Sequence, residues 1–271
     1  MRVQTEEWRR FIPGVRMYKG KKTLFWNGEI LWDDDDLFGH PLIYDEEERD
    51  SWEVIIVLPG VEVIPQWAFC TFEKLEAVIM SDTVRRIEDN AFDACESLMF
   101  VKLLRNLEYI GREAFPYCKS LTSIFIPQSC RDIGRWAFWN CTKLIIFNVP
   151  RQTQLGDDVI AGTALIHVSQ FETSGYGSYN NIEVHEWVKN LNQGEDYELH
   201  RACSSFNPLK EIIYGILKRK GPSAFQKKNE VGLTPSDYLD SNPFAEIHID
   251  QKALMKQYVM EMMGETVFNV M

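Results

Sequence analysis

Through the middle of this chain, apolar positions return every 23 residues, and the polar positions between them return in step. Ala68 and Phe69 recur as Ala91 and Phe92, Ala114 and Phe115, and Ala137 and Phe138. Leu75, Leu98, Leu121 and Leu144 keep the same spacing, as do Ile64, Ile87, Ile110 and Ile133. A fixed period in the twenties predicts a solenoid, in which each unit buries its apolar face only against its neighbours. Each unit opens with an apolar-rich turn or short helix. It closes with a two-residue alternation: Val78 and Met80, then Val101 and Leu103, Ile124 and Ile126, Phe147 and Val149. Alternation of that kind predicts a strand, and Pro127 and Pro150 end two of them. An earlier partial unit puts Ile55 and Val57 in the same register. The expected core is therefore an α/β solenoid of about five parallel strands, roughly 4.8 Å apart.

Stacking is obligatory for such units. Each offers a handful of core side chains, such as Ile64, Phe69, Leu75, Val78 and Met80. Burying each contributes roughly 1.5–3 kcal/mol, whereas ordering every residue's backbone costs roughly 1–2 kcal/mol. A single unit loses that contest and a row of units wins it.

These columns resemble the leucine-rich repeats of the BspA type, whose unit reads I-x-x-x-A-F-x-x-C-x-x-L-x-x-V/I-x-I/L-P. The resemblance covers roughly residues 53 to 165 and fades after Pro150, where QLGDDVIAGTALIHV keeps the length and loses the Ala-Phe pair. It implies a recognition module and no reaction. Farther on, YELHRACSS and GLTPSDYLDS resemble ankyrin units. Leu199, His200 and Ala202 match one copy of that motif, and Thr234 and Pro235 match another. The order of parts is similar to repeat-protein families of diatoms.

Four segments follow from this reading. Residues 1–52 form an amino-terminal aromatic β cap, 53–168 the solenoid, 169–195 a linker and short helix, and 196–271 an ankyrin-like helical region. Within the cap, Asn27-Gly28 between LFW and EILW predicts a hairpin, and Trp8, Phe11, Tyr18, Phe25, Trp26 and Trp32 supply cover for the first repeat. Ser169 to Asn181 is polar and rich in glycine and serine, hence a loop, and NIEVHEWVKNL is a short helix. In PLKEIIYGILKRKG, Leu209, Ile212, Ile213 and Ile216 share one helical face. QKALMKQYVMEMMG makes a last amphipathic helix.

If Val78 and its equivalents point inward, the alternate strand positions form the other face of the sheet. Ile56, Ile79, Phe100, Lys102, Ser123, Phe125, Ile146 and Asn148 lie there, an unusually apolar set. Either this is an open interaction surface or the amino-terminal segment or the tail folds over it. On the first reading these eight residues contact a partner.

Composition narrows the function further. A net charge of -11 argues against nucleic acid, although acidic runs at Asp33 to Asp36 and Asp45 to Asp50 carry part of it. Those runs lack the calcium-loop pattern. MRVQTEEWRR has no apolar core and predicts no secretory leader, and no uninterrupted apolar run reaches membrane-spanning length. The expectation is a cytoplasmic protein that binds neither membrane nor nucleic acid. Cys95, Cys118 and Cys141 share one repeat position with Phe72, and Cys130 shares another with Val61, Val84 and Leu107, so they read as reduced packing thiols. No Cys-x-x-Cys pair, metal-binding histidine pair, phosphate loop or nucleophile elbow is present. Asn140-Cys141-Thr142 matches the glycosylation sequon inside a core repeat. No cofactor, metal or catalytic residue is expected. The reading is a noncatalytic scaffold for a protein partner, with an enzyme sited between the two repeat regions, or a surface adhesin, as the alternatives.

Overall fold

Every turn of the repeat contributes two strands and not one. The computed structural model describes residues 21–28, 31–32, 41–42, 51–169, 171, 179–193, 195–205 and 210–242. In the first sheet, β1 (Thr23–Trp26), β4 (Val54–Val57), β6 (Ala77–Ile79) and β8 (Phe100–Lys102) pair in parallel; β10 (Ser123–Phe125) and β12 (Ile146–Asn148) form a further parallel pair. The second sheet holds β5 (Val63–Ile64), β7 (Arg86–Ile87), β9 (Tyr109–Ile110), β11 (Asp132–Ile133) and β13 (Gln154–Leu155), all parallel and in order. Two-residue strands are too short to announce themselves by alternation, which is why the sequence reading missed them.

The core lies between the two sheets and the turns that join them. Phe69, Phe92, Phe115 and Phe138 are all fully buried and stack at centroid distances of 5.2, 4.9 and 5.4 Å. Trp26 closes the amino end of this column, edge-on to Phe69 at 5.0 Å, and Phe147 lies edge-on to Phe138 at 5.5 Å. Beside the rings run the buried thiols of Cys95, Cys118 and Cys141. Each donates to a carbonyl of the preceding turn, those of Phe69, Phe92 and Phe115. Burial pushes the Cys95 and Cys118 thiols well above their usual range, so they act as apolar filler, and all six cysteines are free.

Among the described residues, Asn27-Gly28 closes no hairpin. β1 pairs in parallel with β4, and β2 (Leu31–Trp32) pairs antiparallel with β3 (Pro41–Leu42). Gly28 does take a left-handed conformation, φ +93°. Local turn preference is overridden because β1 gains more as an added rung of the solenoid, where it buries Leu24 and Trp26. Trp8, Phe11, Tyr18, the two acidic runs, the 175–178 loop, Leu209 and the methionine-rich helix lie outside the described residues.

After Pro150 the stack continues for one more rung. Val159 and Ile160 occupy the places of alanine and phenylalanine. The chain then forms α1 (Ala164–Val168), capped by the Thr163 side chain, and α2 (Asn181–Asn190).

The chain divides between Lys189 and Asn190, and a separate helical unit follows. It holds α3 (Glu198–Cys203), α4 (Lys210–Lys220) and α5 (Pro235–Ser241). Thr234 and Asp237 form a capping box at the start of α5. The His200 Nε2 meets the Leu233 carbonyl at 3.0 Å, just ahead of that cap. A buried network joins Asn192, Asn229 and Tyr238 at 2.8–3.1 Å. On α4, Ile213, Ile216 and Leu217 are buried, but Ile212 is 53% exposed and leaves the face assigned to it. The buried stripe follows the 3–4 spacing from Ile213, which turns Ile212 outward.

Candidate interaction surface

Of the eight residues expected on an open sheet face, five are buried: Ile56, Ile79, Lys102, Phe125 and Ile146. Phe100, Ser123 and Asn148 are half-buried. Parallel register does bring them together, with Ile56 beside Ile79, Ile79 beside Lys102, Ser123 beside Ile146 and Phe125 beside Asn148. The expectation of solvent exposure is corrected. Runs such as Val54–Val57 are apolar at every position, and parallel strands with continuous apolar runs are buried on both faces.

A different surface is formed by the turns that follow the second sheet. Two residues in each of the central turns have positive φ: Trp67 and Thr71, Asn90 and Ala94, Glu113 and Tyr117, Trp136 and Asn140. Left-handed backbone is costly for such residues. It is offset because each of their N–H groups then points along the stack and bonds a carbonyl of the next turn, at 2.7–3.2 Å. Their side chains project from the turn with no repeat constraint on identity, and large groups gather there. The Trp136 and Trp139 rings lie 5.9 Å apart, and Tyr117 meets Trp139 edge-on at 4.9 Å. Arg135 lies over Trp136 at 3.8 Å and Arg112 over the same ring at 5.3 Å. The indole N–H of Trp136 donates to Asp158 at 3.4 Å. These aromatics are half-buried and both arginines exposed. Tryptophan, tyrosine and arginine dominate the energetics of protein interfaces.

The arginines differ in what they can still bind. Arg112 is paired with Glu113 at 2.8 Å. Among the described residues, Arg135 has no carboxylate partner and is held by its ring contact alone. A guanidinium stacked on indole keeps its N–H edge free and oriented for a carboxylate. None of this patch was singled out from sequence. Trp136 and Trp139 stand three apart, a visible signal, but only stacking of turns brings Arg112 and Tyr117 to them. Asn140, the sequon residue, is half-buried in a left-handed turn whose amide bonds Ala161.

Asp93 occupies the repeat position of Trp139 one turn and another below it. Burial, with the nearby Glu113 carboxylate adding to it, pushes its carboxyl up to about 6. A folded value above the unfolded one of about 3.9 means that the native state holds the proton more tightly. Its stabilising share is thus complete below about pH 4 and lost as pH rises through about 6. Asp93→Asn is expected to leave stability unchanged near pH 4 and to raise it by about 1 kcal/mol at pH 7.5, a value discounted for partial exposure. Urea melts at the two pH values check this; an equal effect at both would contradict it.

Catalytic chemistry gains no support from this geometry. Among the described residues no group of three or more His, Cys, Asp or Glu side chains could hold a metal ion, and no helix is long and apolar enough to cross a membrane. His200 is shifted down by burial and bonded to a backbone carbonyl, as a packing histidine is.

Residues 55–183 match the family model of BspA type leucine rich repeat regions, in six copies. Among solved structures the chain is similar to a leucine-rich repeat protein of T. pallidum, at 25% identity over 41% of this chain and 64% of that one, with a TM-score of 0.35. It is similar to one from Bacteroides ovatus, at 20% identity over 55% and 51%, TM-score 0.31. It is similar also to the pneumococcal vaccine antigen PcpA, at 25% identity over 44% and 31%, TM-score 0.36. The chain spans less than two thirds of the length of each. A comparison with curated proteins gives no match.

Proposed function

We propose, on the premise that the repeat region is a BspA-type leucine-rich repeat solenoid, that this protein is a noncatalytic protein-interaction module. Its partner docks on the turn-side patch of Tyr117, Trp136, Trp139, Arg112 and Arg135. The observation that carries this reading is the Arg135 guanidinium, stacked 3.8 Å over Trp136 and unpaired with any carboxylate among the described residues. A rigid solenoid presents such groups pre-organised, so little conformational entropy is lost on docking. The matching partner segment carries an aspartate or glutamate beside an aromatic or proline side chain. Buried, reduced cysteines agree with a cytoplasmic setting. The helical unit reads as ankyrin-like on the strength of the His200–Leu233 bond and the Thr234 cap, and would act as a second recognition element.

Selection of phage-displayed random peptides on the full chain tests this. The selected pool is expected to be enriched in acidic residues. Its members are expected to bind at least about 30-fold more weakly to Trp136→Ala or Arg135→Ala, the loss of one hot-spot residue, while circular dichroism stays that of the wild type. Peptides that bind both variants as well as wild type would place recognition elsewhere.

A further inference from the structure

One column of the turn side carries charges of both signs in successive turns. It holds Asp89, Arg112, Arg135 and Asp157, whose carbonyls accept from the amides of Trp67, Asn90, Glu113 and Trp136 in that order. The first two are engaged within the protein. Asp89 Oδ1 accepts from the Arg112 amide at 2.7 Å, and the Arg112 guanidinium pairs with Glu113 at 2.8 Å. Arg135 and Asp157 are both exposed. Among the described residues neither has an ion-pair partner.

The backbone fixes how far apart these two charges stand. Successive rungs of parallel strands lie about 4.8 Å apart, and Gly156 lets this step close tightly, since a Cβ there would stand 2.8 Å from the Arg135 Cα. The turn that carries Asp157 is held in turn. Its Asp158 amide donates to Asn181 Oδ1 at 2.7 Å, and its Ile160 amide to the Tyr179 hydroxyl at 3.1 Å, so two side-chain oxygens stand where the carbonyls of a further turn would be. Trp136 ties the two turns together, its amide on the Asp157 carbonyl and its indole N–H on Asp158 Oδ2. His185 lies within reach of the Asp157 charge. Burial, with Lys189 adding to it, holds the imidazole below its usual range, so at neutral pH it is uncharged and leaves Asp157 uncancelled.

We propose that Asp157 determines the specificity of the turn-side patch, and that the partner segment it selects is zwitterionic. The partner's carboxylate meets Arg135, and a lysine or arginine one or two residues away meets Asp157. This rests on the patch being the docking surface. Arg135 alone would attract any acidic stretch. With Asp157 one rung away, a second acid in that stretch meets a like charge, whereas a base there meets an opposite one. An extended segment advances about 3.3 Å per residue, so one or two residues span a step of about 4.8 Å. The rigid step between the turns thus sets the spacing of acid and base in the partner.

Random peptides selected on the full chain test the proposal through their sequences and through a charge swap. The wild-type pool is expected to place a lysine or arginine within two residues of the enriched acid, and an acidic pool without that base overturns the proposal. On Asp157→Lys the selected peptides are expected to bind at least about 10-fold more weakly, because attraction becomes repulsion. Changing their base to glutamate is expected to restore binding to that variant, a recovery that a damaged fold cannot give. Peptides that bind Asp157→Lys as tightly as wild type, yet are lost on Trp136→Ala, overturn this proposal and leave the patch as the docking surface. Peptides indifferent to Trp136→Ala overturn both. If Asp157→Lys does not fold by circular dichroism, Asp157→Asn is read in the same way, with an expected loss of at least about 3-fold, within the range of one exposed ion pair.

Discussion

Phe115→Ala is expected to lower the stability of the repeat unit by about 3–5 kcal/mol, the range for truncating a fully buried phenylalanine. Phe115 sits in the middle of the ring column, nearly parallel to both neighbours at 3° interplanar angles, so its loss removes two stacking contacts and opens a cavity between them. In a solenoid each turn touches only its neighbours. The cavity therefore uncouples the turns below from those above, and the urea transition is expected to broaden as well as shift. Phe115→Leu keeps most of the volume and is expected to cost about 1 kcal/mol. A Phe115→Ala loss below about 1 kcal/mol, outside the usual range for such truncations, would mean that the ring column is not what holds the turns together.

Gly134→Ala is the second large effect, and one methyl group causes it. A Cβ at Gly134 would lie 2.5 Å from the Arg112 amide nitrogen, 2.7 Å from the Gly111 carbonyl carbon and 2.8 Å from the Arg112 Cα. All three are backbone atoms, which cannot swing aside. Gly111 and Gly156 are as tightly placed in their own turns, whereas Pro65 and Glu88 fill the column in the first two. The close approach thus belongs to the later turns. The expected loss is about 2–3 kcal/mol, as for overpacking in a rigid core. Gly215→Ala, on α4 with nothing within 4 Å of the added carbon, is the control. There the same substitution is expected to raise helix stability by about 0.5–1 kcal/mol. Thermal melts of both variants check the opposite signs. A neutral Gly134→Ala would show that the turns can separate at little cost.

Much of the solenoid was legible because a repeat prints its constraints several times. The isoleucine, phenylalanine and leucine columns are buried as their spacing predicts, and Cys95, Cys118 and Cys141 pack as apolar groups. The second sheet was illegible: a pair such as Asp132 and Ile133 is too short to show alternation. The hairpin at Asn27-Gly28 failed for the opposite reason, since a strong local signal gave way to burial of Leu24 and Trp26 on the stack. Tyr179 and Asn181 stood within a polar, glycine- and serine-rich stretch read as a loop. Nothing local distinguishes a tyrosine in a linker from one whose hydroxyl caps an amide of the preceding turn.

The candidate surface divides in the same way. Strand register pairs Ile56 with Ile79, Ile79 with Lys102, Ser123 with Ile146 and Phe125 with Asn148, because register follows from the period, yet burial of five of the eight sheet-face residues does not follow from alternation. Sequence by itself determined the stacking unit, its length and its inward columns, since these depend only on which side chains water excludes at a fixed spacing. Tertiary structure alone decided which faces stay open, that Arg112, Arg135 and Trp136 converge, and that the last turn ends on two side-chain oxygens. Those outcomes depend on contacts between residues about one turn apart in the chain. They exist only once the backbone has wound and the left-handed turns have aimed their amides along the stack.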